Sequence, residues 1–571
     1  MSTISEPEIA ARRAALEQST GEWRPLSLAS AFDVAAGRHP ERPYVITDAG
    51  ALTYAEVAAR SRRFAAGLLE LGVRPGDRVA VLMDNRLEYP VVKFAIARIG
   101  AIAVALNYSY RGDEIVQRLA QSGAGVLVSV DASAATDFLA VFDERFPGWE
   151  TEVRSTEVPT LRAIVLAASG LRSGALTVPG LSRLDDERVD ELTQSIAADD
   201  VADIVFTSGT TGHALGAELT HDMLLRSAYG SAYHRAFDDG WRIGFALPLY
   251  HVFGYVEGML AALFVGGAIV PQRVFNPRST LEQIEAHRIN EVLFVPTMTV
   301  AVVDQAVKGR ATGGEYDLSS LQSVFSAAAP APVWLWNRVM TDLRPRMIFT
   351  GYGQTEVSAA TALTLPGDPV ELVSSVVGTT KLGGLAALGT GIPNGRLAQY
   401  RTIDPFDGHA LPQGEAGELA VRGPQVTRGY IGDPEQTAAT IDADGWLRTG
   451  DLGFLDDDGY IHLSGRSKEL FKVGGELVAP VEVELVLTAA DGVSQAFVAG
   501  IPDERYGEIG WAWVVASEDA VIDERELLAH ARQHLAPFKV PRGFTVLAAE
   551  ELPMTTTGKI QKYLLVQRIT G

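Results

Sequence analysis

The chain has 571 residues, 47% of them hydrophobic and 21% charged, with a formal net charge of −22. That length exceeds a single hydrophobic core and suffices for two or more domains of ordinary soluble composition. The acidic balance argues against general nucleic-acid binding, and the absence of cysteine excludes disulfides, thiolate nucleophiles and Cys-based metal sites, so thiol chemistry would need a thiol from outside.

Residues 1–23 are acidic and Arg-containing, without an apolar stretch of signal-peptide length, which leads us to expect a cytoplasmic protein. Thr53-Tyr-Ala-Glu56 reads as a capping box, and Val57, Phe64, Leu68 and Leu71 recur at helical spacing until Gly72 stops the helix. The turn Pro75-Gly76-Asp77 leads into an apolar strand over 79–83. A helix over 88–99, a strand over 101–106, a helix around 113–122 and a strand over 125–130 follow. This β-α-β-α-β alternation predicts a parallel, doubly wound layer. Residues 131–199 are less regular and read as an insertion. The apolar region 243–270 is long enough to cross a bilayer, but Pro248, His251, Glu257 and several glycines interrupt it. It reads as buried strand–helix–strand, not a membrane span. Around 443–466 the chain turns to Asp-Gly turns and short alternating strands. Beyond Arg466 about one hundred residues remain, enough for an independent α+β domain. The best single cut is Lys468, giving domains 1–467 and 468–571.

A short apolar strand at 204–206 runs into Thr207-Ser208-Gly209-Thr210-Thr211-Gly212. Small and hydroxylated residues pack little core, but they let the backbone fold round an anion and offer N–H groups and hydroxyls to phosphate oxygens. No Gly-Lys-Ser/Thr ends the run, so it is not a Walker A loop. Its order resembles the phosphate loop of the adenylate-forming superfamily, which includes acyl-CoA synthetases, aryl-CoA ligases, peptide-synthetase adenylation domains and firefly luciferase. The likeness extends from about residue 25 to 567, with further motifs in family order. It implies an α/β fold: a large N-terminal AMP-binding domain with doubly wound sheets and a β-barrel-like subdomain, and a small mobile α+β C-terminal domain.

The resemblance also implies roles. In Gly351-Tyr352-Gly353-Gln-Thr355-Glu356, Tyr352 would stack on adenine, Thr355 contact the α-phosphate and Glu356 hold Mg²⁺, an ion that one hard carboxylate beside a phosphate suits. Ser326-Ala-Ala328-Ala-Pro330 occupies the place of the adenine wall, with methyls where the family has glycines. Asp451, in Trp446-Leu-Arg-Thr-Gly-Asp451, would take both ribose hydroxyls, a carboxylate being a bidentate acceptor, and Arg466 would reach the same ribose. Lys468 falls at the hinge. Lys472, Gly474 and Gly475 match the segment that enters the site for the thioester step. Lys559 resembles the lysine that bridges the substrate carboxylate and the α-phosphate during adenylation. His251, in Pro248-Leu-Tyr-His-Val-Phe-Gly254, matches the position between acyl pocket and thiol tunnel. A satisfied core histidine is the competing reading. The ten histidines show no zinc-binding spacing, so no transition-metal site is expected.

One departure matters. The family's loop usually ends Gly-x-Pro-Lys-Gly, and here Gly212-His-Ala-Leu-Gly216 puts Leu215 where the lysine stands. A charge-assisted contact contributes about 1.5–3 kcal/mol, so its loss would slow adenylation by roughly ten- to a hundredfold or more. It also leaves an apolar tip on an exposed loop. Two mechanisms follow. In one the protein uses ATP, Mg²⁺ and coenzyme A for both half-reactions, converting a carboxylic acid to its CoA thioester. In the other it accepts an acyl-adenylate made by a separate adenylating enzyme and performs only thioester formation. The first is favoured. Free CoA and a carrier-protein pantetheine are not separable by sequence. Segments 250–255 and 295–298, with the residues after Glu356, would line an apolar acyl pocket suited to a hydrophobic acid. A non-catalytic adenylate sensor, a light-emitting oxygenase and a nucleotide hydrolase are the lesser alternatives.

Overall fold

The computed structural model describes residues 4–133, 136–182, 186–207, 214–312, 314–466, 469–474, 476–503, 505–517, 520–554 and 560–570. Two seven-stranded sheets dominate. In the first the strands lie in the order Leu176–Thr177, Ala163–Leu166, Val126–Ser129, Arg78–Leu82, Ile102–Ala105, Val201–Phe206 and Gly216–Thr220. All pairs are parallel except the last, an antiparallel hairpin. The expected capping box is present. Thr53 accepts from the Glu56 N–H, the Glu56 carboxylate accepts from the Thr53 N–H, and helix Tyr54–Glu70 follows.

Residues 131–199 are not an insertion. Ala163–Leu166 pairs in parallel with Val126–Ser129 and carries the first sheet outward. All four of its residues are buried, so it lacks the polar–apolar alternation by which a longer strand announces itself.

The second large sheet runs Met347–Phe349, Ser323–Ser326, Glu291–Phe294, Arg242–Phe245, Ala268–Pro271, Pro43–Thr47 and Gly50–Thr53, again parallel except for its terminal hairpin. The 243–270 region forms neighbouring parallel strands of this sheet, as expected, but the helix between them is a π-helix, Phe253–Leu260. Among the described residues no helix is long and apolar enough to cross a membrane. One continuous apolar core takes in residues of both sheets; within it Phe32 stacks on Phe94 at 4.2 Å and meets Tyr44 edge-on at 5.1 Å.

Beyond the large sheets lie two small antiparallel sheets joined by the bridge Thr379–Tyr460: Gly351–Gln354, Ala359–Leu363 and Thr379–Thr380, and a meander of Gln399–Ile403, Gly417–Arg422, Leu447–Leu455 and Ile461–Arg466. The C-terminal region is α+β, a five-stranded sheet built on the hairpin Val493–Asp503/Gly507–Ala516 with helices Pro480–Thr488, Glu524–His534 and Lys562–Thr570. Lys468 lies outside the described residues.

Two buried histidines join the helix His221–His234 to its surroundings. His221 Nδ1 accepts from the Leu28 N–H at 3.2 Å; His234 Nδ1 accepts from the Leu382 N–H at 3.0 Å, and its Nε2 lies 3.0 Å from the Thr364 carbonyl. Both need the neutral ring, and burial pushes the His221 imidazole down to about 4 and His234 well below its ordinary value. Folding therefore favours the unprotonated form. The stability is fully present above pH 6.5 and is lost as pH falls toward 4, at about 3 kcal/mol for His221 alone. Urea unfolding at pH 7 and pH 4.5 is expected to show this loss in the wild type and a smaller one in His221→Gln. Equal losses in both proteins would refute the assignment.

Candidate active site

The two small sheets bring Asp451 and its partners together. Asp451 lies opposite Arg466 in the antiparallel register, and Arg466 Nε donates to Asp451 Oδ1 at 2.8 Å. Oδ2 accepts from the Tyr352 hydroxyl at 2.5 Å and from Gln354 Nε2 at 2.7 Å. Burial works against the Arg466 charge, but Asp451, with Glu469 and Tyr352, outweighs it and raises the guanidinium pKa. Burial likewise drives the Tyr352 hydroxyl well above its ordinary pKa, so it donates and does not ionise. A carboxylate offers about four lone-pair positions, and three donors already use Asp451. A vicinal diol bound through both hydroxyls must displace one of them. Gln354 is the cheapest to move, because its amide also reaches the Thr449 carbonyl at 2.9 Å and the Tyr352 oxygen at 3.2 Å.

Two residues beyond Gln354 the same hairpin places Glu356. Gly353 permits this turn. A Cβ there would lie 1.8 Å from the Ala359 carbonyl oxygen, so no other residue fits. Ser358 and Ala359 both adopt the left-handed region, at φ 56° and 87°, and three buried contacts hold this strained turn. The Ser227 hydroxyl donates to the Ser358 carbonyl at 2.6 Å, Ser358 Oγ donates to the Gln425 carbonyl at 3.0 Å, and the Ala360 N–H donates to Glu257 Oε1 at 3.1 Å. Glu257 belongs to the π-helix and is fully buried with Arg235, Lys381 and Glu291. Burial works against its carboxylate, but the two cations outweigh that and hold its pKa low. Thr355 is buried at the start of the short 3-10 turn.

Glu356 Oε1 accepts from the Tyr430 hydroxyl at 3.0 Å, and burial raises the carboxyl pKa. Tyr430 belongs to a segment laid along Gly216–Thr220: the Ile431 N–H donates to Gly216 O at 2.9 Å and the Glu218 N–H to Gly429 O at 3.0 Å. The strand Gly216–Thr220 is thus tied to Glu356 through the Tyr430 segment. Neither Tyr430 nor Gln354 was assigned a role by the sequence. Gln354 stood inside a recognised motif, whereas Tyr430 carries no local signal.

The N–H of Thr207 donates to the Leu215 carbonyl at 2.8 Å and closes the hairpin from which the loop springs. Ser208, Gly209, Thr210, Thr211 and Gly212 lie outside the described residues, as do Gly475 and Lys559. Leu215 is not an exposed tip but partly buried. Ala328 is exposed beyond strand Ser323–Ser326 at φ 73°, a conformation that favours glycine. His251 is partly buried just before the π-helix, with Nδ1 accepting from the Phe253 N–H at 3.2 Å. Around it Tyr108 and Tyr250 meet edge-on at 5.3 Å, and Phe253 and Phe325 at 5.1 Å. Lys472 is exposed on Phe471–Val473, its N–H on Glu508 Oε2 at 2.9 Å, and Gly474 is left-handed at φ 62°. Among the described residues no hydrogen bond or ion pair joins these two to the Asp451 cluster.

Residues 32–431 match the AMP-binding enzyme family, and residues 482–559 match its C-terminal domain. The chain is 34% identical over 554 residues to a "3-[(3aS,4S,7aS)-7a-methyl-1,5-dioxo-octahydro-1H-inden-4-yl]propanoyl:CoA ligase" of Rhodococcus jostii, covering 95% of this chain and 98% of that protein. It is 35% identical over 514 residues to a feruloyl-CoA synthase of an Amycolatopsis species, covering 90% and 93%. Among solved structures it resembles ATP-bound MatB from Rhodopseudomonas palustris, with a TM-score of 0.76 and 26% identity over 95% of this chain and 98% of that one. The anthranilate CoA ligase AuaEII with anthranoyl-AMP shares its fold, with a TM-score of 0.80 at 24% identity, covering 95% and 97%. The chain therefore belongs to the AMP-binding enzyme family, as an acid–thiol ligase of the AMP-forming type.

Proposed function

We propose that this protein activates a hydrophobic carboxylic acid with ATP and transfers the acyl group to the thiol of free coenzyme A. The observation that carries the reading is the Asp451 cluster, tied through one hairpin to Glu356 and through Tyr430 to the strand after the phosphate loop. Adenosine on Asp451 would then have its phosphates running toward Glu356. A buried carboxylate whose pKa burial has raised gains most from a hard cation, so Glu356 fits Mg²⁺, which when bound neutralises charge on the phosphates. The substrate carboxylate oxygen attacks the α-phosphorus and pyrophosphate leaves. Thr355 and Lys559 are the groups we assign to the charge that develops there. The chain then turns at Lys468, bringing Lys472, Gly474 and Gly475 to the site. The CoA thiol loses its proton to solvent, the sulfur attacks the acyl carbonyl, and AMP departs with the electron pair of the broken acyl–oxygen bond. The aromatic pairs near His251 support an apolar acid, and the large alicyclic and aryl acids named for the two relatives are of that kind.

Leu215 favours a second reading, in which an adenylate made by another enzyme enters and only the thioester step occurs. Pyrophosphate release with a panel of acids, run beside CoA-ester formation from presynthesised acyl-adenylates, separates the two. Our reading expects both activities, with apolar acids preferred over amino acids. Leu215→Lys is expected to raise the first by up to about tenfold and to leave the second unchanged. Ester formation without pyrophosphate release from any acid would select the second reading.

A further inference from the structure

Arg118 lies on helix Gly112–Ser122, 6% exposed, and touches both feet of the phosphate loop. Its guanidinium carbon is 5.3 Å from the Phe206 ring centre, and Nη1 approaches the Ala214 carbonyl at 3.4 Å. The other partners are neutral: the Gln121 side-chain oxygen for Nη1, that of Gln117, at 3.1 Å, for Nη2, and the Tyr110 hydroxyl beside the guanidinium. Nε is buried without a partner. Gln121 Nε2 donates to the same Ala214 carbonyl at 3.1 Å. The buried arginines Arg98, Arg226 and Arg235 each pair with carboxylates. Among the described residues Arg118 makes no such pair, and Glu114, one turn back on its helix, spends its carboxylate on the Arg111 N–H at 3.0 Å. Taking a cation out of water is costly unless an anion meets it. Neutral amide oxygens recover part of that cost, and an incoming anion would recover far more.

We propose that Arg118 is the cation this enzyme presents to the terminal phosphates of ATP, in the role that a lysine at 215 would fill. It rests on the reading of the protein as an ATP-using ligase and supplies the charge which that reading otherwise lacks. Guanidinium suits the task, since its planar fork of donors matches phosphate oxygens. The inference concerns only the polyphosphate. The nucleoside monophosphate, held by Asp451 and Tyr352, should be indifferent to it.

The test compares ATP and AMP binding in the presence of Mg²⁺ and the absence of acid, by calorimetry. The wild type is expected to bind ATP more tightly than AMP. Arg118→Met is expected to raise the Kd for ATP about 10- to 100-fold and to leave that for AMP within about twofold. Arg118→Lys keeps most of the discrimination. Adding Leu215→Lys to Arg118→Met restores ATP binding, whereas in the wild type the same lysine gains less. If Arg118→Met no longer binds AMP, Arg118→Gln takes its place. Unchanged ATP affinity in the neutral variant overturns the proposal, as does an equal loss for ATP and AMP, which marks a purely structural arginine. A wild type that discriminates ATP from AMP yet forms no CoA ester sinks the functional reading and leaves this one standing.

Discussion

Asp451→Ala is expected to weaken adenosine-nucleotide binding by about 2–4 kcal/mol, roughly 30- to 1,000-fold in Kd. The magnitude follows from what the carboxylate does. It is 4% exposed, pairs with a partly buried guanidinium, and accepts from a tyrosine and a glutamine that no alanine can satisfy. Removing one partner of a buried pair leaves the other uncompensated, which costs more than the pair itself contributes. Tyr352→Phe removes the bond donated to Asp451 and the longer one accepted from Gln354, whose amide keeps its other acceptors, and it leaves the ring in place, so its effect should stay at about 1–2 kcal/mol. Titration with AMP and with a non-hydrolysable acyl-adenylate mimic measures both. The two ligands share the ribose and should lose affinity equally. A loss below threefold in Asp451→Ala would remove the ribose from this carboxylate.

Lys559→Ala is expected to reduce pyrophosphate release by about 10²–10³-fold while CoA-ester formation from a supplied acyl-adenylate changes little. An ammonium aimed at charge that builds only in the transition state acts on kcat, and the loss of one such group is of that order. Pre-steady-state measurement of each half-reaction separates the effects. Equal losses in the two would mean that the lysine supports the C-terminal region generally and does not act in adenylation.

The parts of the fold legible in the sequence were those whose signal is local. The Thr53 capping box and the strands at 79–83 and 101–106 announced themselves, because a cap and a buried parallel strand need only neighbouring residues to be recognised. Ala163–Leu166 did not, since four apolar residues in an irregular stretch have no period to read. The π-helix was invisible for a related reason: its wider turn leaves no periodic mark in eight residues, and the buried ion pairs that Glu257 makes from it involve partners distant in sequence.

The site divides the same way. Tyr352, Asp451, Arg466 and Glu356 stood in recognisable motifs, and the structure joins the first three around one carboxylate. Tyr430, 74 residues further along the chain and without a motif of its own, helps join Glu356 to the strand Gly216–Thr220. Arg118 is still less legible. On a polar helix beside Gln117 and Gln121 it reads as an ordinary solvated charge, and only its burial against Phe206 and Ala214 distinguishes it.

The most direct measurement is a single-turnover experiment with excess protein, Mg·ATP and an apolar acid, first without and then with CoA. The account expects a protein-bound acyl-adenylate to accumulate with release of one pyrophosphate, then to be chased into CoA thioester as AMP appears. Absence of an adenylate from every acid, under conditions where a supplied adenylate is converted to the ester, would contradict it.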